Sequence, residues 1–233
     1  SSQVTELYNT RDGNPIITDS VGGLIATYKN GLTSDITNGA RCLNSSSSYI
    51  DLGVISMQSN FSIEVYFKTQ IQQSYGTIYF AWAPTTISYG DSNVYPPTTG
   101  NTTIDHSTHS FDSSTNNRFH WREYVNGVHT YSQNVEGLNI GKIHMVVSYE
   151  NGTVKHYINN NLVYTATSTL PAQDFHWILN KSLDVDSFTD RDIYFFRLYN
   201  GISLTSSQVT TLYNAREGSL YITDDIGGVP AIY

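Results

Sequence analysis

The sequence predicts an all-β chain: a sandwich or barrel of short antiparallel strands, with a short helix near each end. Three observations carry this. Apolar or alternating strings recur between polar turns at least eight times in 233 residues, each of strand rather than helix length. Ser, Thr, Asn, Gly and Tyr (18 Tyr and 17 Gly) are abundant, whereas the helix formers Leu, Lys, Glu and Ala are sparse. Asn-rich and Asn-Gly segments fall between strings, where tight hairpin connections need residues that accept positive φ.

In chain order, Ser1 or Ser2 is placed to cap a short helix carrying Val4, Leu7 and Tyr8 on one face, and Gly13 ends it. Beyond Gly22-Gly23 the expected strands are 49–54, 61–69, 77–83, 118–124, 143–149, 153–158, 162–166 and 191–199. Residues 150–153 (Glu-Asn-Gly-Thr) and 159–161 (three Asn) read as tight turns, which makes 143–166 a three-strand meander. The second helix opens at Ser206, because the first 28 residues return almost intact at 206–233.

That repeat aligns without a gap, and about 17 of the 28 positions are identical. One closed domain has no use for two copies of one element, so the pattern predicts a unit of a tandem array. The expected division is 1–22 as the end of a preceding unit, 23–218 as the sandwich domain and 219–233 as the start of the next. Weak contacts repeated along such an array become avid.

The length suffices for one full-sized β domain. Net charge is −8, from 20 acidic and 12 basic residues. That balance argues against nucleic acid as a partner, since phosphate neutralisation needs a basic face. No apolar run approaches the roughly 18 residues of a membrane span, and no signal peptide opens the sequence. The single cysteine, Cys42, excludes an internal disulfide and is expected as a buried, inert thiol. Acceptor sequons for N-glycosylation begin at Asn44, Asn60, Asn101, Asn151 and Asn180.

The run IGKIHMVVSYENGTVKHYINNNLVYTATSTLP resembles the hairpin region of laminin-G-like (concanavalin A-like lectin/glucanase) jelly rolls. In the same order, LNSSSSYIDLG followed by FSIEVYFKTQ resembles the early strands of that family, and DIYFFRLYNGISLTSSQVTTLYNAREG its closing strand and terminal helix. The resemblance spans about Leu24 to Gly218. It implies a two-sheet antiparallel jelly-roll sandwich with a curved concave face, non-catalytic sugar binding, and calcium held by loop carboxylates. Two departures stand out: His144 lacks the usual preceding Trp, and 87–117 is longer and more polar than the family core needs.

Glu64 and Arg197 sit in apolar strands where a lone charge is costly to desolvate, so they are expected to pair with each other. The glycosidases of the resembling superfamily carry Glu-x-Asp-x-x-Glu on one strand, and nothing here has that spacing. Glu123 lacks an acidic neighbour at two or three residues, and serine-elbow, phosphate-loop, CxxC and HExxH patterns are absent. The expectation is therefore no enzyme. Binding residues are sought in 87–117, through Tyr89, Asp91, Asn93, Tyr95, Asp105, His106 and His109, because aromatic faces stack on sugar C–H patches while Asp and Asn meet hydroxyls. Trp82 and Trp121 flank this segment and either line the concave face or enter the core.

Asp105-His106-x-x-His109 offers transition-metal ligands. For calcium, which the resemblance implies, the candidates are Asp35, Asp91, Asp112, Asp184, Asp186 and Asp190; each is otherwise a turn former or a solvated charge. The functional expectation is an extracellular, lectin-like repeat of a cell-surface or virion-surface adhesin, bound to a glycan or glycoprotein and to neighbouring repeats. The alternative is a structural spacer or protein-binding repeat in a fibre or stalk.

Overall fold

Strand alternation sends every second residue inward, and this period fixes both sheets. The computed structural model describes residues 3–6, 16–18, 25–29, 33–35, 39–42, 49–69, 75–83, 102–110, 117–126, 128–135, 141–181, 191–216, 221–223 and 230–232. The first sheet has eight strands. Seven run in the order β14 (Asn161–Thr167), β13 (Thr153–Ile158), β12 (Lys142–Glu150), β7 (Phe61–Thr69), β16 (Arg191–Asn200), β5 (Gly39–Cys42) and β4 (Thr33–Asp35). The eighth, β1 (Gln3–Glu6), lies along β16, which also pairs with β5. The second sheet also has eight strands, in the order β11 (Val128–Val135), β10 (Asn117–Val125), β9 (Thr103–Ser110), β8 (Tyr75–Trp82), β15 (Gln173–Leu179), β6 (Tyr49–Met57), β3 (Ile25–Lys29) and β2 (Ile16–Thr18). All these pairings are antiparallel. The chain is thus a two-sheet antiparallel jelly-roll sandwich of concanavalin A-like architecture.

The inward faces meet in one core. Phe61, Ile63, Val65 and Phe67 of β7 and Met145, Val147 and Tyr149 of β12 join Tyr79 and Ala81 of β8, Phe175 and Trp177 of β15, and Phe119 and Trp121 of β10. Each fully buried large apolar side chain contributes roughly 1.5–3 kcal/mol. Along β6 the inward positions change phase, from Ile50 and Leu52 to Ile55 and Met57. Gly53, at φ +71°, lies beside the register shift against β15 where that change is made, and its left-handed backbone favours glycine.

The meander 143–166 forms as β12, β13 and β14. Asn151 and Gly152 (φ 48° and 77°) close its first turn, and Asn159 and Asn160 (φ 46° and 68°) its second. Positive φ at both central residues matches the twist of the flanking strands.

The expectation of a helix near each end is corrected at one of them. At 206–215 the helix α1 (Ser206–Ala215) forms, capped by Thr205, whose Oγ1 accepts from the Gln208 N–H at 3.3 Å while Gln208 Oε1 accepts from the Thr205 N–H at 2.9 Å. The first copy of the same sequence instead supplies β1, with Val4 opposite Tyr199 and Glu6 opposite Arg197. Ser-Ser-Gln-Val-Thr has weak preference for either state, and an available strand edge on β16 decides it. Segment 1–22 thereby contributes β1 and β2 to the two sheets.

The stretch 87–117 is not one long loop. β9 runs through it, inserted between β8 and β10 and paired to both, so its backbone groups are satisfied on each side.

Candidate functional site

The strands that bury Tyr79, Ala81 and Trp177 place their alternate residues on the opposite face of the second sheet. There Tyr49 of β6, Phe80 and Trp82 of β8, and Ile178 of β15 form a separate apolar cluster. His176 continues it as a polar edge. Its ring stacks on Trp82 at 4.3 Å and 11°, and its Nε2 lies 2.7 Å from Oδ1 of Asp51. The same Asp51 oxygen accepts from the Gly53 N–H at 2.9 Å, which fixes the carboxylate. His176 and Asp51 keep 22% and 23% of their side-chain surface exposed, so this orienting pair remains open to a ligand.

The register extends the row across the sheet. Trp82 stands opposite Thr103, and Thr103 opposite Tyr124; one step along, Phe80 stands opposite Asp105, and Asp105 opposite Arg122. Thr103 Oγ1 is buried with no hydrogen-bond partner among the described residues. Arg122 and Tyr124 are half-buried. The Ala83 N–H donates to the Thr102 carbonyl at 3.0 Å, closing the base of the connection 84–101 directly beside Trp82 and Thr103.

Other expected site residues fall elsewhere. Trp121 is fully buried between the sheets, 4.1 Å from the His156 ring and stacked on Phe119 at 6.0 Å, so its place is in the core. Asp105, His106 and His109 lie on β9. Tyr89, Asp91, Asn93, Tyr95, Asp112, Asp184, Asp186 and Asp190 lie outside the described residues. Asp35 is on β4. Among the described residues there is no group of three or more His, Cys, Asp or Glu side chains that could hold a metal ion.

The outer face of the first sheet is built differently. Helix α1 covers it with Val209 and Leu212 against Val146, Tyr157 and Tyr199. The preceding turn is pinned down: the Leu204 N–H donates to Ser62 Oγ at 2.8 Å, and its carbonyl accepts from Ser148 Oγ at 3.0 Å. Beneath lies Glu64, which accepts from Arg197 Nη1 at 3.2 Å and from the Tyr199 hydroxyl at 2.6 Å and lies 2.7 Å from His144 Nε2. Burial alone would raise the Glu64 pKa, but the Arg197 charge and the bonds from His144 and Tyr199 lower it from 4.5 to about 2. Such a carboxylate stays ionised and is a poor general acid. Glu123 is also fully buried, both oxygens accepting from Ser168 Oγ at 2.9 and 2.8 Å. Neither acid reaches an open groove.

Sequence reasoning paired Glu64 with Arg197 but passed over His144, Tyr199, Asp51 and His176. The signal for His144 was a polar residue inside the apolar run of β12. Asp51 and His176 are 125 residues apart, and only the pairing of β6 with β15 joins them.

No protein-family model and no curated protein matches this chain. Solved structures do. Domain 4 of AbnA, an extracellular GH43 arabinanase of Geobacillus stearothermophilus solved with arabinotriose, aligns over 91% of this chain and 98% of its own, at 19% identity and a TM-score of 0.61. The binding domain of botulinum neurotoxin DC, solved in complex with SialylT, aligns over 96% of this chain and 54% of its own, at 13% identity and a TM-score of 0.65. Trypanosoma rangeli sialidase with sialic acid aligns over 91% of this chain and 33% of its own, at 12% identity and a TM-score of 0.64. The chain therefore spans about half of the toxin domain and a third of the sialidase, and what it shares with all three is the β-sandwich fold.

Proposed function

We propose that this chain is a non-catalytic glycan-binding module that uses the outer face of its second sheet. The observation that carries the reading is the difference between the two outer faces. The first is sealed by helix α1 over the Glu64 network. The second keeps about a fifth of the Asp51–His176 pair exposed, beside the root of a connection whose sequence carries Tyr89, Asp91, Asn93 and Tyr95. A fixed carboxylate and imidazole suit sugar hydroxyls, and here they lie at the rim of the buried Phe80–Trp82 cluster. Two of the solved neighbours, the arabinanase domain and the toxin binding domain, were captured with arabinotriose and SialylT. The buried, locked state of Glu64 and Glu123 supports binding rather than hydrolysis.

In its finer form the reading is a laminin-G-like unit of a tandem-repeat adhesin at a cell or virion surface, whose partners are glycans or glycoproteins. No helix among the described residues is long and apolar enough to cross a membrane. The test is a glycan array probed with multivalently displayed chain, with calcium and with chelator. Selective binding that Asp51→Asn weakens about tenfold or more is expected; absence of binding to any glycan in both conditions contradicts the reading. A chelator effect would place a cation outside the described acidic residues.

A further inference from the structure

The two copies of the repeated sequence agree in strand pairing where they differ in helix. At the first copy β2 and β3 form a hairpin with Ile16 opposite Thr27, Ile17 opposite Ala26 and Thr18 opposite Ile25. At the second copy β17 (Tyr221–Thr223) and β18 (Pro230–Ile232) form a hairpin with Tyr221 opposite Ile232, Ile222 opposite Ala231 and Thr223 opposite Pro230. Every one of these pairs follows from the first set by the same offset that aligns the sequences. The register is identical, although side chains differ at three of the six positions, so the hairpin recurs as a unit.

The hairpins differ in what lies beyond them. β3 continues the second sheet by pairing with β6, Thr27 opposite Asp51 and Tyr28 opposite Ile50. β17 and β18 form a separate two-stranded sheet, with no third strand among the described residues. An isolated two-stranded hairpin is marginally stable in water and gains by adding to a sheet edge.

We infer that β17–β18 is the opening hairpin of a further copy of this fold, and that β18 pairs with the β6 strand of that copy as β3 pairs with β6 here. Ile232 then stands opposite the partner copy's equivalent of Asp51, and Tyr233 opposite that of Ile50. The partner is a second copy of the same unit, joined head to tail by strand addition rather than by a flexible linker. Asp51 belongs both to this junction and to the candidate glycan face, so each junction sits directly beside a binding face. The inference rests on the array part of the proposed function and is independent of glycan binding.

The test extends the intact chain: residues 1–233 are followed directly by a second copy of residues 29–233, so that 206–215 remains helix α1 of the first unit while 221–233 stands where 16–28 stand in the second. Amide hydrogen exchange is compared with the 233-residue chain. Exchange at Ile232 and Tyr233 is expected to slow about 100-fold or more at whichever of the two donates to β6, and Ile232→Pro in the extended chain is expected to remove that protection and to destabilise the second copy alone. If the second copy folds while these amides exchange as fast as in the single chain, the array reading stands and the edge pairing is wrong. If the second copy fails to fold behind the shared segment, the array reading falls as well.

Discussion

A carboxylate removed from water favours its protonated form, yet Glu64, fully buried, is held at a pKa of about 2 because Arg197, His144 and Tyr199 all surround its ionised oxygens. The folded value lies below the ordinary 4.5, so this contribution is whole above pH 4.5 and is lost as pH falls towards 2. His156 behaves alike for another reason: burial against Trp121 penalises its cation and lowers its pKa from 6.5 to about 3. Stability from keeping it neutral is whole above pH 6.5 and is lost as pH falls towards 3. Urea unfolding at pH 7, 5 and 3 should show His156→Leu becoming steadily more stable relative to the parent chain on acidification, by up to about 1.4 kcal/mol per pH unit. A constant difference would contradict the assignment. Glu64→Gln at pH 7 should cost about 3–5 kcal/mol, since Arg197 is left buried without its counter-charge; a cost below 1 kcal/mol would mean the network is dispensable.

Elements were legible wherever their own residues decided them. The turns at Asn151-Gly152 and Asn159-Asn160 need positive φ at consecutive positions, and such residues announce themselves in the sequence. The strands β7, β12, β13 and β16 carry apolar runs that only a buried sheet accommodates. β9 was hidden, because Thr-Ile-Asp-His-Ser-Thr-His-Ser has one apolar residue and its strand state comes from β8 and β10 on either side. The helix at one copy of the repeat and the strand at the other show the same limit: a near-neutral sequence takes the structure its partner offers. Helix α1 therefore depends on its cap, and Thr205→Ala should lower stability by about 1 kcal/mol in chemical denaturation; no change would show that packing of Val209 and Leu212 alone holds it.

At the scale of the molecule, the sandwich gives its two outer faces different fates. The first is spent on stability, under a helix and a charged network. The second presents Asp51 and His176, drawn together from β6 and β15, next to Trp82 and the root of the 84–101 connection. The candidate loop residues were read from composition, but the pair at the centre of the site was not, because its proximity exists only once β6 and β15 lie side by side. The central claim is that this face binds glycan, and the direct measurement is a calorimetric titration of an array-selected glycan into the parent chain, into His176→Ala and into Thr205→Ala as a distant control. The account predicts an affinity about tenfold weaker or more for His176→Ala, close to 1.4 kcal/mol, and an unchanged affinity for Thr205→Ala. Equal affinity in the parent chain and a folded His176→Ala would contradict it.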